Sequence, residues 1–295
     1  MYFLKPGEAP ATGLRRILRE RIDESIDHLA RADAAPELAV HEVRKNIKRI
    51  RAALRLARFG LGEAVYSIEN FRFRDLGRKL AAARDATVER ETLRSILLDA
   101  ELLVEEVGPI EAGLFGAPPD SHAWSARLPS AELIADFRAA GERVAQMEMD
   151  AGSGDFIYNG LADTAARARR RYREAYASPE TAEKFHEWRK QVKYLWHQFE
   201  ILSGSPGSDG AVLAEDLEHL SGRLGLAHDA VILHARLLGE GPEIPGIDPG
   251  WLARTVHRAR LDHEGAARPH GRRLFTQKPE ELLDWYPGDS AAVVR

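Results

Sequence analysis

The stretch HEVRKNIKRIRAALRLAR (41–58) sets seven Arg or Lys residues around a single Glu, and its opening returns 145 positions later in HEWRKQVKYLWHQFEIL (186–202). At about 3.6 residues per turn, His41, Arg44, Lys45, Lys48, Arg51 and Arg55 follow the i, i+3, i+4, i+7 spacing and share one helix face. Val43, Ile47, Ile50, Leu54 and Ala57 take the opposite face. In the second copy His186, Arg189, Lys190, Lys193 and His197 form the polar stripe, and Trp188, Val192, Leu195, Phe199 and Leu202 the apolar one. Both polar faces carry nearly one sign of charge, whereas an ordinary exposed helix mixes Glu with Lys.

Outward from these two stretches, apolar residues keep recurring at three- and four-residue intervals, and β-branched alternation with tight hairpin turns is missing. The fold class is all-α. The pattern predicts helices over about 12–32, 37–59, 63–83, 85–107, 130–150, 158–177, 180–203, 209–225, 228–239 and 249–265. The segment GPIEAGLFGAPPDSHAWSARLPS (108–130), rich in Gly, Pro and Ser, reads as a linker. It separates a first half, 1–107, from a second half, 131–275, with 276–295 as a C-terminal tail. FRFRDLGRKLAAARDATVERETL (71–93) follows the first basic helix, and AEDLEHLSGRLGLAHDAVILHARL (214–237) follows the second. Arg84-Asp85 then aligns with His228-Asp229 at an offset of 144, one less than that of the basic helices. Two motifs at nearly one offset indicate an internal duplication, and with it pseudo-symmetric packing of two similar bundles.

The 295 residues, 44% hydrophobic and 30% charged, are those of a globular chain, and the net charge of −4 argues against a general nucleic-acid coat. With no cysteine, neither a disulfide framework nor thiolate chemistry is available. The apolar run in MYFLKPGEAP is too short for a signal peptide, and no stretch approaches the ~20 apolar residues of a membrane span. A cytoplasmic location is the expectation.

An isolated charge run is ordinarily a solvated face. Here six like charges lie along one stripe, each i,i+4 pair costing roughly 0.2–0.5 kcal/mol, and the arrangement is written twice. A polyanion that relieves the repulsion accounts for both copies. Arg15 and Arg19 at the head of the first half, and Arg169, Arg170 and Arg173 in RARRRYR (167–173), are additional candidates for the same space, as are Arg84 and His228. Acidic residues collect elsewhere, in DAELLVEEVGPIE (99–111) and SDGAVLAEDLE (208–218), which is how a net-acidic chain can hold a positive groove.

No catalytic or metal signature accompanies the stripes. A zincin helix needs His at i and i+4, and here Lys45 or Lys190 holds the second position. Phosphate-binding loops, dinucleotide fingerprints and nucleophile elbows are absent from the sequence. The His228-Asp229 pair alone is a weak hydrolase signal. No catalytic residue, metal or cofactor is assigned.

His, then Arg three residues on, then Lys, written twice and each time followed by an Arg-Asp or His-Asp element, resembles the CHAD family, the conserved-histidine α-helical domain. The resemblance runs from about 10 to 275. It implies two pseudo-symmetric helical bundles enclosing a basic groove or pore, and it implies binding of inorganic polyphosphate. Carried over, His41, Arg44, Lys45, Lys48, Arg51 and Arg55 match the first basic helix, and His186, Arg189, Lys190 and Lys193 the second. Many members have Arg-Tyr where this sequence has Trp196-His197, which removes one fixed cation. The fused triphosphate tunnel domain of some relatives, with its alternating Glu residues, has no counterpart. The expectation is a stand-alone binding module with inorganic polyphosphate as partner, located on polyphosphate granules, and neither membrane nor nucleic acid as a target. The alternatives are a phosphohydrolase acting on polyphosphate or nucleotides, and an adaptor for an acidic protein.

Overall fold

The computed structural model describes residues 2–80, 85–116, 128–150, 155–177, 182–203, 208–239 and 244–286, with the side chains of 85–87 left aside. Arg84, residues 117–127 of the expected linker and residues 287–295 of the tail lie outside the described residues. Every regular element among the described residues is helical.

Several helices start where proline pre-sets the backbone of the first turn: α1 at Pro10–Ala30, α2 at Pro36–Leu56 and α11 at Pro249–Phe275. The others are α3 (Arg58–Leu61), α4 (Glu63–Lys79), α5 (Asp85–Asp99), α6 (Val104–Phe115), α7 (Ser130–Ala145), α8 (Phe156–Ala177), α9 (Ala182–Leu202), α10 (Asp209–Leu238) and the short α12 (Pro279–Leu282).

Some boundaries differ from the sequence reading, each for a local reason. The expected helix 85–107 is broken after Asp99, where Glu101 adopts φ 66°. The chain restarts at Val104, so residues 108–115 of the expected linker are helical. The expected break between 225 and 228 does not occur, and α10 runs unbroken for 30 residues. Gly222 and Gly225 each cost about 1 kcal/mol relative to alanine there, but Leu220, Leu224, Ala227, Ala230 and Leu233 lie buried along the same helix and offset it.

The apolar faces read from the sequence form the core. Val43, Ile47, Ile50, Leu54 and Ala57, together with Trp188, Val192, Leu195 and Phe199, are buried in one large cluster, with Leu202 partly buried beside them. Gly160 of α8 lies hard against the backbone of Leu56 at the end of α2. A smaller cluster holds Leu93, Ile96, Leu97, Val107, Ile110 and Leu114 of α5–α6 against Ala230, Leu233, Leu252 and Val256 of α10–α11. Helices therefore pack across the sequence halves: α5 lies on α10 and α11, while α7 lies on α1. Between them α2 and α9, the two basic helices, pack directly on each other.

Candidate functional site

Late in both α2 and α9, Gln198 Nε2 donates to the carbonyl of Ala52 at 3.4 Å, and Arg49 pairs with Glu200 at 3.5 Å. Early in both, the helices open onto one cavity of about 430 Å³. His41, Arg44 and Lys48 enter it from α2, and Arg189 and Lys193 from α9. Arg44 and Arg189 are equivalent positions of the repeat, and so are Lys48 and Lys193. Cations that the sequence places 145 residues apart thus share one space.

The remaining wall comes from α5 with Val88, Glu89 and Thr92, and from α10 with His228, Asp229 and Ile232. Two carboxylates face this basic space, each near an arginine. Asp229 acts electrostatically on Arg189, whose guanidinium is held below its ordinary range by burial. Glu89 is engaged by Arg236. Gly225 on α10 lies next to the Arg189 guanidinium, 3.8 Å from where a Cβ would stand.

His186 does not itself line the cavity, but its Nδ1 lies 3.2 Å from Nδ1 of His228, which does. Burial, then Lys190 and Arg189, lowers the pKa of His186. Burial, then Arg189, His186 and Lys190, holds His228 at about 4. Both imidazoles are neutral near pH 7. Among the described residues, no group of three or more His, Asp or Glu side chains forms a candidate metal site.

Other members of the stripes stand elsewhere. Lys45 turns to Glu42 at 3.4 Å, and Lys190 to Glu187. Neither reaches the cavity lining. Arg51 donates from Nε to Asn70 Oδ1 at 3.0 Å and stacks 5.6 Å from the ring of Tyr194. Arg55 stacks on Tyr194 at 4.5 Å and Tyr66 at 5.8 Å. The basic stripe of α2 thus continues past the cavity on an aromatic bed, contributed by α9 and α4, that sequence reasoning did not find.

His197 is corrected. It is 2% exposed and packs against Trp196 and Tyr2, with Nδ1 on Glu200 at 2.6 Å, and burial holds it at about 4. It cannot present itself to a ligand in the cavity. The repeat contained the signal, since His197 aligns with Ala52, itself fully buried.

The additional arginines are also dispersed. Arg15 and Arg19 line a separate cavity of about 290 Å³ against α7. Arg169 donates to the carbonyl of Thr276 at 3.2 Å, Arg170 lies 3.7 Å from Glu174, and Arg173 is exposed on α8. Among the described members of this group of additional candidates, only His228 lines the central cavity.

The family model of the CHAD domain matches residues 16–238. Among solved structures, PptA from Streptomyces chartreusis is similar over 90% of this chain and 99% of its own, with TM-score 0.57 and 19% identity. The CHAD domain from the plant Ricinus communis is similar over 96% of this chain and 93% of its own, with TM-score 0.53 and 19% identity. At that identity the likeness is one of fold. A protein of Hyphomonas neptunium named FMN-dependent NADH:quinone oxidoreductase is 31% identical over 132 residues, 45% of this chain. The match spans 61% of that relative's length.

Proposed function

The chain belongs to the CHAD domain family, and we propose that it binds inorganic polyphosphate in the cavity between α2 and α9, without cleaving it. The observation that carries the reading is the meeting of Arg44, Lys48, Arg189 and Lys193 in one space. Four positive side chains from two helices outnumber the two carboxylates, Glu89 and Asp229, that share the space, so the cavity favours an anion.

The chemistry suits a polymer of phosphates. Polyphosphate has no bases to read and about one charge per unit, so spaced cations are the whole of its recognition. Arginine forks two hydrogen bonds onto a phosphate, while lysine supplies a mobile point charge. From His41 to Arg55 the stripe of α2 spans about 21 Å at a 1.5 Å rise. A chain entering the cavity can therefore continue over Arg51 and Arg55, which lie over the ring of Tyr194, with Tyr66 also beside Arg55. The His186–His228 pair supplies hydrogen bonds and a proton-dependent charge at the cavity wall. Such affinity would locate the protein on polyphosphate granules.

Calorimetry with long polyphosphate, tripolyphosphate and pyrophosphate tests the reading. Affinity should climb with chain length and fall steeply with salt as counterions are released. Pyrophosphate binding as tightly as the long chain would refute a groove. Release of phosphate during incubation with Mg²⁺ or Mn²⁺ would replace binding by hydrolysis.

A further inference from the structure

On the side of α10 away from the basic cavity lies a larger one, about 950 Å³, between α10 and α11. That volume suits a small organic ligand. The proposed polyphosphate site uses none of its residues.

Its chemistry is mixed rather than basic alone. From α11, Arg254, His257, Arg258 and Leu261 line it at i, i+3, i+4 and i+7, so they share one face. From α10 come His234 and Leu238, one turn apart. Leu238 is 68% and Leu261 47% exposed, and Trp251 lies beside them at the start of α11. The cavity therefore offers an apolar wall that water covers at a cost.

The polar groups are mainly cationic or imidazole, with Thr255 and Asp262 beside them. The rings of His234 and His257 lie 5.2 Å apart, and Nδ1 of His257 is buried without a hydrogen-bond partner. A buried polar atom left in that state ordinarily costs about 1–3 kcal/mol. Asp262 is the one acid in a lining that also holds two arginines. The first amides of α11 are not the anion site, because Asp248 already accepts from Gly250 N and Trp251 N, at 2.9 and 3.0 Å. Asp248 also takes Arg254, at 3.2 Å, which leaves Arg258 and His257 as the principal head-group ligands.

We propose that this cavity binds an amphipathic organic anion, its carboxylate or phosphate head on Arg258 and His257 and its apolar body against Trp251, Leu238 and Leu261. Both features are needed. A bare phosphate chain gains nothing from the leucines, and a neutral hydrocarbon leaves the arginine unused.

The test uses the full chain and two fluorescent probes of one aromatic body, anilinonaphthalene sulfonate and the neutral phenylnaphthylamine. The sulfonate should saturate a single site and be displaced by dodecyl phosphate, but not by inorganic polyphosphate. Arg258→Gln should weaken sulfonate binding about tenfold, the worth of a charged hydrogen bond, and leave the neutral probe within about twofold. Leu238→Ser should weaken both. The substituted side chains are exposed, and unchanged melting temperatures will show that the variants fold. Sulfonate binding unaffected by Arg258→Gln, or its displacement by polyphosphate, would overturn the proposal. So would retention of the protein on anionic phospholipid vesicles without binding of the monomeric probe, which would make the patch a membrane contact.

Discussion

Nδ1 of His186 and Nδ1 of His228 stand 3.2 Å apart, joining α9 to α10 beside the buried guanidinium of Arg189. One ring must donate and the other accept, so this geometry holds one Nδ1 proton and cannot hold two. The groups around the pair are Arg189, Lys190, Glu183 and Glu187 on α9 and Asp229 on α10. Burial is the larger cause, the cations add to it over the acids, and both imidazoles titrate low.

A bound polyanion reverses that field, which gives the first prediction. Raising the pKa of either ring in the complex means that binding takes up protons, and by linkage affinity then rises as pH falls. Polyphosphate should bind more tightly at about pH 6 than at about pH 8, while contacts from Arg and Lys alone stay flat. Calorimetry in buffers of different ionisation enthalpy counts the protons. Uptake that persists in the His186→Gln, His228→Gln double variant would assign the effect to other groups.

The position of the lysines gives the second. Lys48 and Lys193 line the cavity, whereas Lys45 and Lys190 are turned to Glu42 and Glu187. The Lys48→Ala, Lys193→Ala variant should weaken binding and reduce the slope of log affinity against log salt by about 1.4, near 0.7 for each lost phosphate contact. Lys45→Ala with Lys190→Ala should change the slope far less. Equal losses from both pairs would mean that the polymer lies outside the cavity.

Gly160 supplies a prediction about the fold. A Cβ there would collide with the backbone carbonyl of Leu56, which cannot rotate away as a side chain could. Gly160→Ala should push α8 off the end of α2 and destabilise the protein by about 3 kcal/mol. Thermal melting measures it, and a melting temperature within one degree of the parent, roughly the error of a scan, would contradict the packing.

His197 makes stability depend on acid. Its folded pKa of about 4 lies below the unfolded value near 6.5. Between those values the unfolded chain holds more protons, so stability is present above about pH 6.5 and is lost as pH falls through about 4. At about pH 5 the loss from this group is about 2 kcal/mol. His197→Gln should be less stable than the parent near neutrality, yet decline less between about pH 7 and about pH 5. A parallel decline in both proteins would trace acid sensitivity to other residues.

Much of the site was legible from spacing alone, because a helix turns about 100° per residue and the stripe follows from the sequence. The apolar members of both basic helices are buried as read, except that Leu202 is only partly so. What spacing could not resolve was the width of the polar face. Arg44 and Lys45 are adjacent and both polar, and only contact with another helix decides that one enters the cavity and the other turns to Glu42. His197 was misread as polar by its residue type, although its repeat partner Ala52 marked the position as core.

By itself the sequence determined the all-helical class, the faces of α2 and α9 and the repeat that relates them, since these depend on local periodicity and on the comparison of one segment with another. Only the tertiary structure decided that Arg44, Lys48, Arg189 and Lys193 line one cavity, that His228 is brought to His186 from 42 residues away, and that α5 packs on α10 and α11 as well as on its neighbour α6. Those choices rest on which apolar faces fit against each other. Burial rewards any partner of complementary shape whatever its distance along the chain, and the linear pattern does not name that partner.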